Sequence, residues 1–138
     1  ILLVDLAVVL VFAGIGRDSH GEGLAPTQIL TVAWPFLVAT GVGWALAYTL
    51  SQVRSTNPET HTFHPLRLFP DGTIIWVATV AVGMVARALL TTRGIAPSFV
   101  VVAAVFLGLF LLGWRAVATR LLARAARSDV AEERAGHL

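Results

Sequence analysis

Cysteine and lysine are both missing from this chain. Without cysteine there is no disulfide, no thiolate metal site, no iron–sulfur cluster and no thiol nucleophile. Without lysine no side-chain Schiff base can form, which excludes a retinal-linked protein and a pyridoxal phosphate enzyme. All ten basic residues are arginine. Charge is scarce as well: 13% of the residues are charged, against about 25% in a soluble domain. Apolar residues make up 57% of the chain, and the mean hydropathy is +0.80. The pI near 10.4 is read as arginine flanking membrane helices and facing anionic lipid; no nucleic-acid partner is expected.

The apolar residues fall into four runs, Ile1–Gly16, Thr27–Ser51, Thr73–Thr91 and Pro97–Ala123. A spanning helix needs about 20 apolar residues at about 1.5 Å each. The pattern therefore predicts an all-α polytopic membrane protein, a bundle of four transmembrane helices over residues 1–127, with a flexible charged tail over 128–138. The first run is short, and because residue 1 is not Met, upstream residues are expected to lengthen it. A cleaved signal peptide is a poorer reading, since Gly14-Ile15-Gly16-Arg17 makes a weak cleavage site and Asp5 interrupts the run. Arg120, Arg124, Arg127 and Arg134 follow the last run, so the positive-inside rule puts both termini in the cytoplasm. Loop one (Arg17–Pro26) and loop three with Arg93 then lie outside, and loop two (Gln52–Gly72) inside, in a multi-pass protein of the inner membrane.

Asp5, Arg87 and Arg115 interrupt the apolar runs. A charge near the middle of a membrane helix costs roughly 2.5–3.5 kcal/mol on insertion scales, so such residues are expected to face an interior, a partner or a wet cavity. Asp5 lies about 18 Å and Arg115 about 27 Å from the outer helix ends. The two depths permit an Asp5–Arg115 pair; the alternative is that Arg115 snorkels to the inner headgroups. Arg87 is expected to turn inward and tie to Asp18 or Glu22, with snorkelling again the alternative.

Loop one concentrates polar chemistry: Arg17, Asp18, Ser19, His20 and Glu22 within seven residues of Gly16. It is the best local candidate for a ligand or ion site, and an imidazole can change charge near neutral pH. The competing reading is an ordinary polar turn. Asp18, Ser19 and His20 are neighbours in sequence and do not make a hydrolase triad. His61 and His64 have a spacing that suits a metal on a helical turn, but no third ligand stands near them; no metal or cofactor is expected.

Small residues mark helix contacts. Ala39, Gly43 and Ala47 recur every four residues in the second run, and Thr79 and Gly83 lead to Arg87 in the third. Pro35 should kink the second helix. Trp44, Trp76 and Trp114 fall near the inner helix ends and read as interfacial anchors. Arg120, Arg124 and Arg127 share one helical face that suits anionic lipid.

Taken together, Asp5, Gly16-Arg17-Asp18-Ser19-His20, Trp34-Pro35-Phe36, Gly43-Trp44, Trp76, Gly83-Met84-Val85-Ala86-Arg87, Ser98-Phe99-Val100 and Gly113-Trp114-Arg115 resemble the bacterial and archaeal membrane family known as domain of unknown function 3054. The resemblance runs from about Asp5 to Arg115. It implies a four-helix membrane protein and no particular activity. Two functions remain open: a site that binds or conducts a small polar or ionic solute, in a homo-oligomer, or an accessory subunit of a larger membrane complex in which the charges are structural ties. An enzyme is not expected, because no nucleophile–base pair or metal set is visible.

Overall fold

The computed structural model describes residues 1–55, 63–92 and 94–136. The described residues form four α-helices and no strand: α1 (Leu2–Ser19), α2 (Pro26–Arg54), α3 (Thr73–Leu90) and α4 (Pro97–Gly136). A short helical turn, Leu68–Gly72, leads into α3. Three segments, Pro26–Arg54, Leu68–Leu90 and Pro97–Gly136, are long and apolar enough to cross a membrane. The α1 helix carries Asp5, Arg17 and Asp18 within its 18 residues, which dilutes its apolar character.

Each helix packs on its chain neighbours, and α1 also meets α4, so the four close into a ring in the order α1–α2–α3–α4. The core is apolar and rich in phenylalanine. Phe12 meets Phe36 edge to face at 5.8 Å, and lies 5.4 Å from Phe106 and 6.1 Å from Phe99. Val9, Ala33, Ala103, Leu107 and Leu111 fill the space around these rings.

The pairing of α2 with α3 is the most extensive, and small residues set its closeness. A Cβ on Gly43 would lie 3.0 Å from the carbonyl oxygen of Ile75, and one on Gly83 would strike the Phe36 ring. Ala39 and Ala47 are fully buried beside Gly43. Thr40 and Thr79 meet across this seam at 3.3 Å, while each hydroxyl donates to a carbonyl of its own helix, Phe36 and Ile75 respectively. Each threonine thus carries its polarity inside without stranding it. Pro35 sits within α2, which continues through it unbroken.

Beside this apolar core, the distribution of side chains departs from that of a water-soluble protein. Asp5, Arg115, Thr40, Thr79 and Asp71 are buried. Leu89, Leu109, Val101, Val38 and Val85 lie outside, each more than half exposed. Apolar surface on this scale needs a covering phase.

Three expectations change here. The α1 helix runs to Ser19, so Arg17 and Asp18 belong to its last turn rather than to a loop. The α4 helix does not give way to an irregular tail after Ala123 or Arg127. It continues to Gly136, 40 residues in all, or about 60 Å. The reason is local: from Arg120 to Ala135 the sequence has no Pro or Gly and is rich in Ala, Arg, Leu and Glu, all strong helix formers. Thirdly, Trp44, Trp76 and Trp114 do not simply anchor in an interface, because each points its indole N–H at a partner inside the protein.

The α2–α3 seam generates a stability test. Gly43→Val forces backbone of α3 away and should destabilise by about 1–3 kcal/mol. Gly41→Ala, on the same helix with nothing within 4 Å of its added Cβ, should leave stability equal or slightly higher. Thermal unfolding of the two variants in detergent, side by side, gives the comparison.

Candidate functional site

The charged residues singled out above assemble at two separate places. At one end of the ring, Asp5 of α1 and Arg115 of α4 form a bidentate pair. The Arg115 Nη1 donates to Asp5 Oδ1 at 2.8 Å and Nη2 to Oδ2 at 2.6 Å. Both side chains are fully buried. Trp44 of α2 donates its indole N–H to Oδ2, and Trp114 of α4 donates to Oδ1, each at 2.9 Å. The carboxylate thus accepts two bonds on each oxygen.

The guanidinium is matched in the same way. Its Nη1 also donates to the Leu111 carbonyl at 2.7 Å, and Nε donates to the Pro65 carbonyl at 2.8 Å. The second of these straps the later part of loop two across the end of the ring. Gly72 allows the strap to close: a Cβ there would lie 2.8 Å from the Arg67 carbonyl and 3.0 Å from Arg115 Cδ. Phe63 packs edge to face on Trp44 and Tyr48, 5.7 Å from each. This cluster is fully buried and closed. Snorkelling of Arg115 is not what occurs, because the buried carboxylate offers a better partner than distant headgroups.

Asp71 lies nearby and was not apparent from sequence. It is 1% exposed, accepts the His64 backbone N–H at 3.3 Å and stands 4.0 Å from the guanidinium of Arg54. Its position just before Gly72 in a proline-rich loop gave no periodic signal. His61, considered above with His64 as a metal ligand, lies outside the described residues, as does Arg93. Among the described residues no group of three His, Asp or Glu side chains is placed to hold a metal.

At the other end, where α1 and α3 finish and α4 begins, lies a cavity of about 490 Å³. Arg17, Ser19, His20, Glu22, Arg87 and Ser98 supply its polar lining; Phe12, Val32, Phe99 and Val102 supply much of the rest. Arg17 is 8% exposed and held on three acceptors. Its Nη1 donates to Glu22 Oε2 at 2.8 Å, Nε to the Gly23 carbonyl at 3.0 Å and Nη2 to Gln28 Oε1 at 3.1 Å. Loop one is thereby folded back on α1 and tied to the start of α2. Glu22, which the sequence offered to Arg87, gives this oxygen to Arg17. The Arg87 guanidinium lies 4.3 Å from the centre of the Phe99 ring, a cation–π contact across the α3–α4 hairpin. Asp18 is exposed and does not line the cavity. The apolar members of the wall were missed at first because Phe12 and Phe99 read as core, which they also are.

The basic residues beyond the ring behave differently. Arg120, Arg124 and Arg127 are all exposed on the projecting part of α4.

The profile of the family described as "Protein of unknown function (DUF3054)" matches residues 2–118. The chain belongs to this family. Searches of curated proteins and of solved structures return no significant match. The matched span of this DUF3054 chain takes in both charged clusters and the whole ring, and it stops before the projecting end of α4.

The closed cluster can be tested by a double-mutant cycle. Asp5→Leu or Arg115→Met alone leaves a buried charge without its partner and should cost about 3–5 kcal/mol. The double variant should recover on the order of 1–3 kcal/mol of the summed loss, the remainder being the unmatched indole N–H groups and carbonyls. Unfolding in detergent, followed by tryptophan fluorescence, measures each corner; strict additivity would mean that the two residues do not act as a pair.

Proposed function

We propose that this DUF3054 member is an integral membrane protein that binds a small polar solute in the cavity framed by Arg17, His20, Glu22, Arg87 and Ser98. In this reading all four helices span the membrane, with both termini in the cytoplasm, the cavity facing outward and the Asp5–Arg115 cluster near the inner face. The observation that carries it is the cavity itself. It has the volume usual for a small-molecule site, about 300–1,000 Å³, and combines apolar walls with a few convergent polar groups, as such sites do.

The geometry favours binding over conduction by a single copy of the chain. A solute leaving the cavity inward meets the phenylalanine core and then a fully buried ion pair. Asp5 already accepts four hydrogen bonds, so it is assigned here as a structural tie between helices rather than a proton carrier. Arg120, Arg124 and Arg127 are assigned to the anionic inner leaflet and the aqueous space beyond it. A second reading, an accessory subunit of a larger complex, is favoured by one feature: α4 projects beyond the ring with every residue from Arg120 to Gly136 exposed, which suits a partner.

Because the chain has no cysteine, single reporters can be placed without background. Ser19→Cys should react with a membrane-impermeant maleimide added to intact cells, and Ser128→Cys only after lysis. The reverse pattern would overturn the orientation. For binding, a small-molecule panel is screened by thermal shift against the purified protein. Hits should lose at least tenfold in affinity when Ser98→Trp fills the cavity mouth. A panel without hits, together with a stoichiometric partner on gentle extraction, would establish the accessory reading instead.

A further inference from the structure

We infer that the part of α4 beyond the ring is a docking surface for a partner protein, and that the partner presents a cationic amphipathic helix. The surface lies at the other end of the molecule from the cavity, so the inference goes beyond the solute reading and does not depend on it. Spacing comes first. Leu111 and Arg115 are the last buried residues of α4. At steps of three and four from Arg115, the same side of the helix carries Ala118, Leu122, Ala125, Asp129 and Glu132. Such alternating steps keep a stripe on one side of a helix, and by them helices pack lengthwise on one another. The stripe that packs α4 into the ring therefore runs on past it for about four turns. There every residue from Arg120 to Gly136 is exposed, and Leu122 is more than half exposed. No proline or glycine stands between Trp114 and Gly136 to bend the stripe away.

Charge then selects the partner. Arg120, Arg124, Arg127 and Arg134 fall on the opposite side of α4, about 180° round at about 100° per residue. Beyond the ring the stripe carries carboxylates and no cation. Between Arg120 and Gly136 no arginine stands three or four positions from Asp129 or Glu132, whereas these two stand three apart. Like charges at that spacing weaken an isolated helix. Both also lie in the last two turns of α4, where the carbonyl end of a helix disfavours negative charge.

The ring shows how this stripe settles a charge. Arg115 is met by Asp5, an opposite charge on the helix that faces it. Asp129 and Glu132 call for the same solution with the signs reversed, lysine or arginine on a facing helix. Nearer the ring, Leu122 stands between Ala118 and Ala125, an apolar stretch that a helix can approach closely. The partner helix so defined is apolar where it meets Ala118 to Ala125 and basic where it meets Asp129 and Glu132, with its anchors three and four residues apart. Anionic lipid does not fit, because it repels the carboxylates. A second copy in the same membrane does not fit, because it runs parallel and sets Asp129 and Glu132 against the same residues.

The test is fluorescence anisotropy on the full chain in phosphatidylcholine nanodiscs, with empty nanodiscs as the blank. The probe is a labelled synthetic helix with leucines three and four residues apart toward one end and lysines at the same spacing toward the other. One control peptide has glutamate for its lysines, and a second has serine for its leucines. The probe should bind at least tenfold more tightly than either control. Asp129→Asn with Glu132→Gln should weaken it at least tenfold. Arg124→Gln with Arg127→Gln, on the opposite side, should leave it within twofold. All four positions are exposed, and the comparison of peptides on the unmodified chain needs no variant. No binding above the blank would overturn the inference, and so would full affinity in the Asp129 and Glu132 variant. A dimer of the chain alone that Leu122→Glu splits into monomers would also overturn it, since a second copy would then cover this face. None of these results bears on the cavity, which its own ligands report at the other end.

Discussion

Burying an ion pair away from water is tolerable only when its charges find hydrogen-bonding partners, and the Asp5–Arg115 pair finds them in groups drawn from across the fold. The carboxylate comes from α1, the guanidinium from α4, one indole from α2 and one from α4, and a carbonyl from the strap that leads into α3. No subset of these elements satisfies the pair. Effective penalties of several kcal/mol per buried ion therefore bind the arrangement of three helices and a loop to a single geometry. In an apolar surrounding phase the hydrophobic effect does not hold helices together, so such polar matching has a larger share of the task than it would in a water-soluble protein.

The two ends of the ring use the same residue type for opposite purposes. Arg115 is fully buried and makes four hydrogen bonds, which suits a joint. At the other end Arg17 is held on three acceptors, and its bonds shape a loop around an open chamber, while Arg87 stands on the wall of that chamber against an aromatic face. Between them lies the phenylalanine core and the close α2–α3 seam, where Gly43 and Gly83 bring backbones together. The rigid end and seam provide the fixed frame on which a small binding chamber can hold its geometry.

Much of this was legible beforehand, and the successes share a cause. Long apolar runs and helical repeat distances are one-dimensional properties, so the helices and the comparable depths of Asp5 and Arg115 followed from counting residues. The failures share a cause too. Trp44 and Trp114 near helix ends fit an interfacial belt by composition, and only the facing carboxylate shows that their N–H groups turn inward. Glu22 lies only five residues from Arg17, and the bond between them was not among the sequence expectations because Arg17 was placed in a loop. Once α1 continues to Ser19, Arg17 sits where its side chain meets the returning loop. Thr40 gave no signal because a single polar residue in an apolar run has no period, and Asp71 gave none because a proline-rich loop has no period either.

By itself, the sequence determined that this chain is all-helical, apolar in the manner of membrane proteins, incapable of thiol or Schiff-base chemistry, and burdened with charges that need partners. Those are properties of composition and of local spacing, which no packing can alter. Only the tertiary structure decided which partner Asp5, Arg17 and Arg115 take, that one set closes into a buried joint while the other frames a cavity, and that Trp44 and Trp114 serve the joint. Pairing depends on which helix faces are brought together and at what height, and that is set by long-range packing, for which residue spacing along the chain carries no measure.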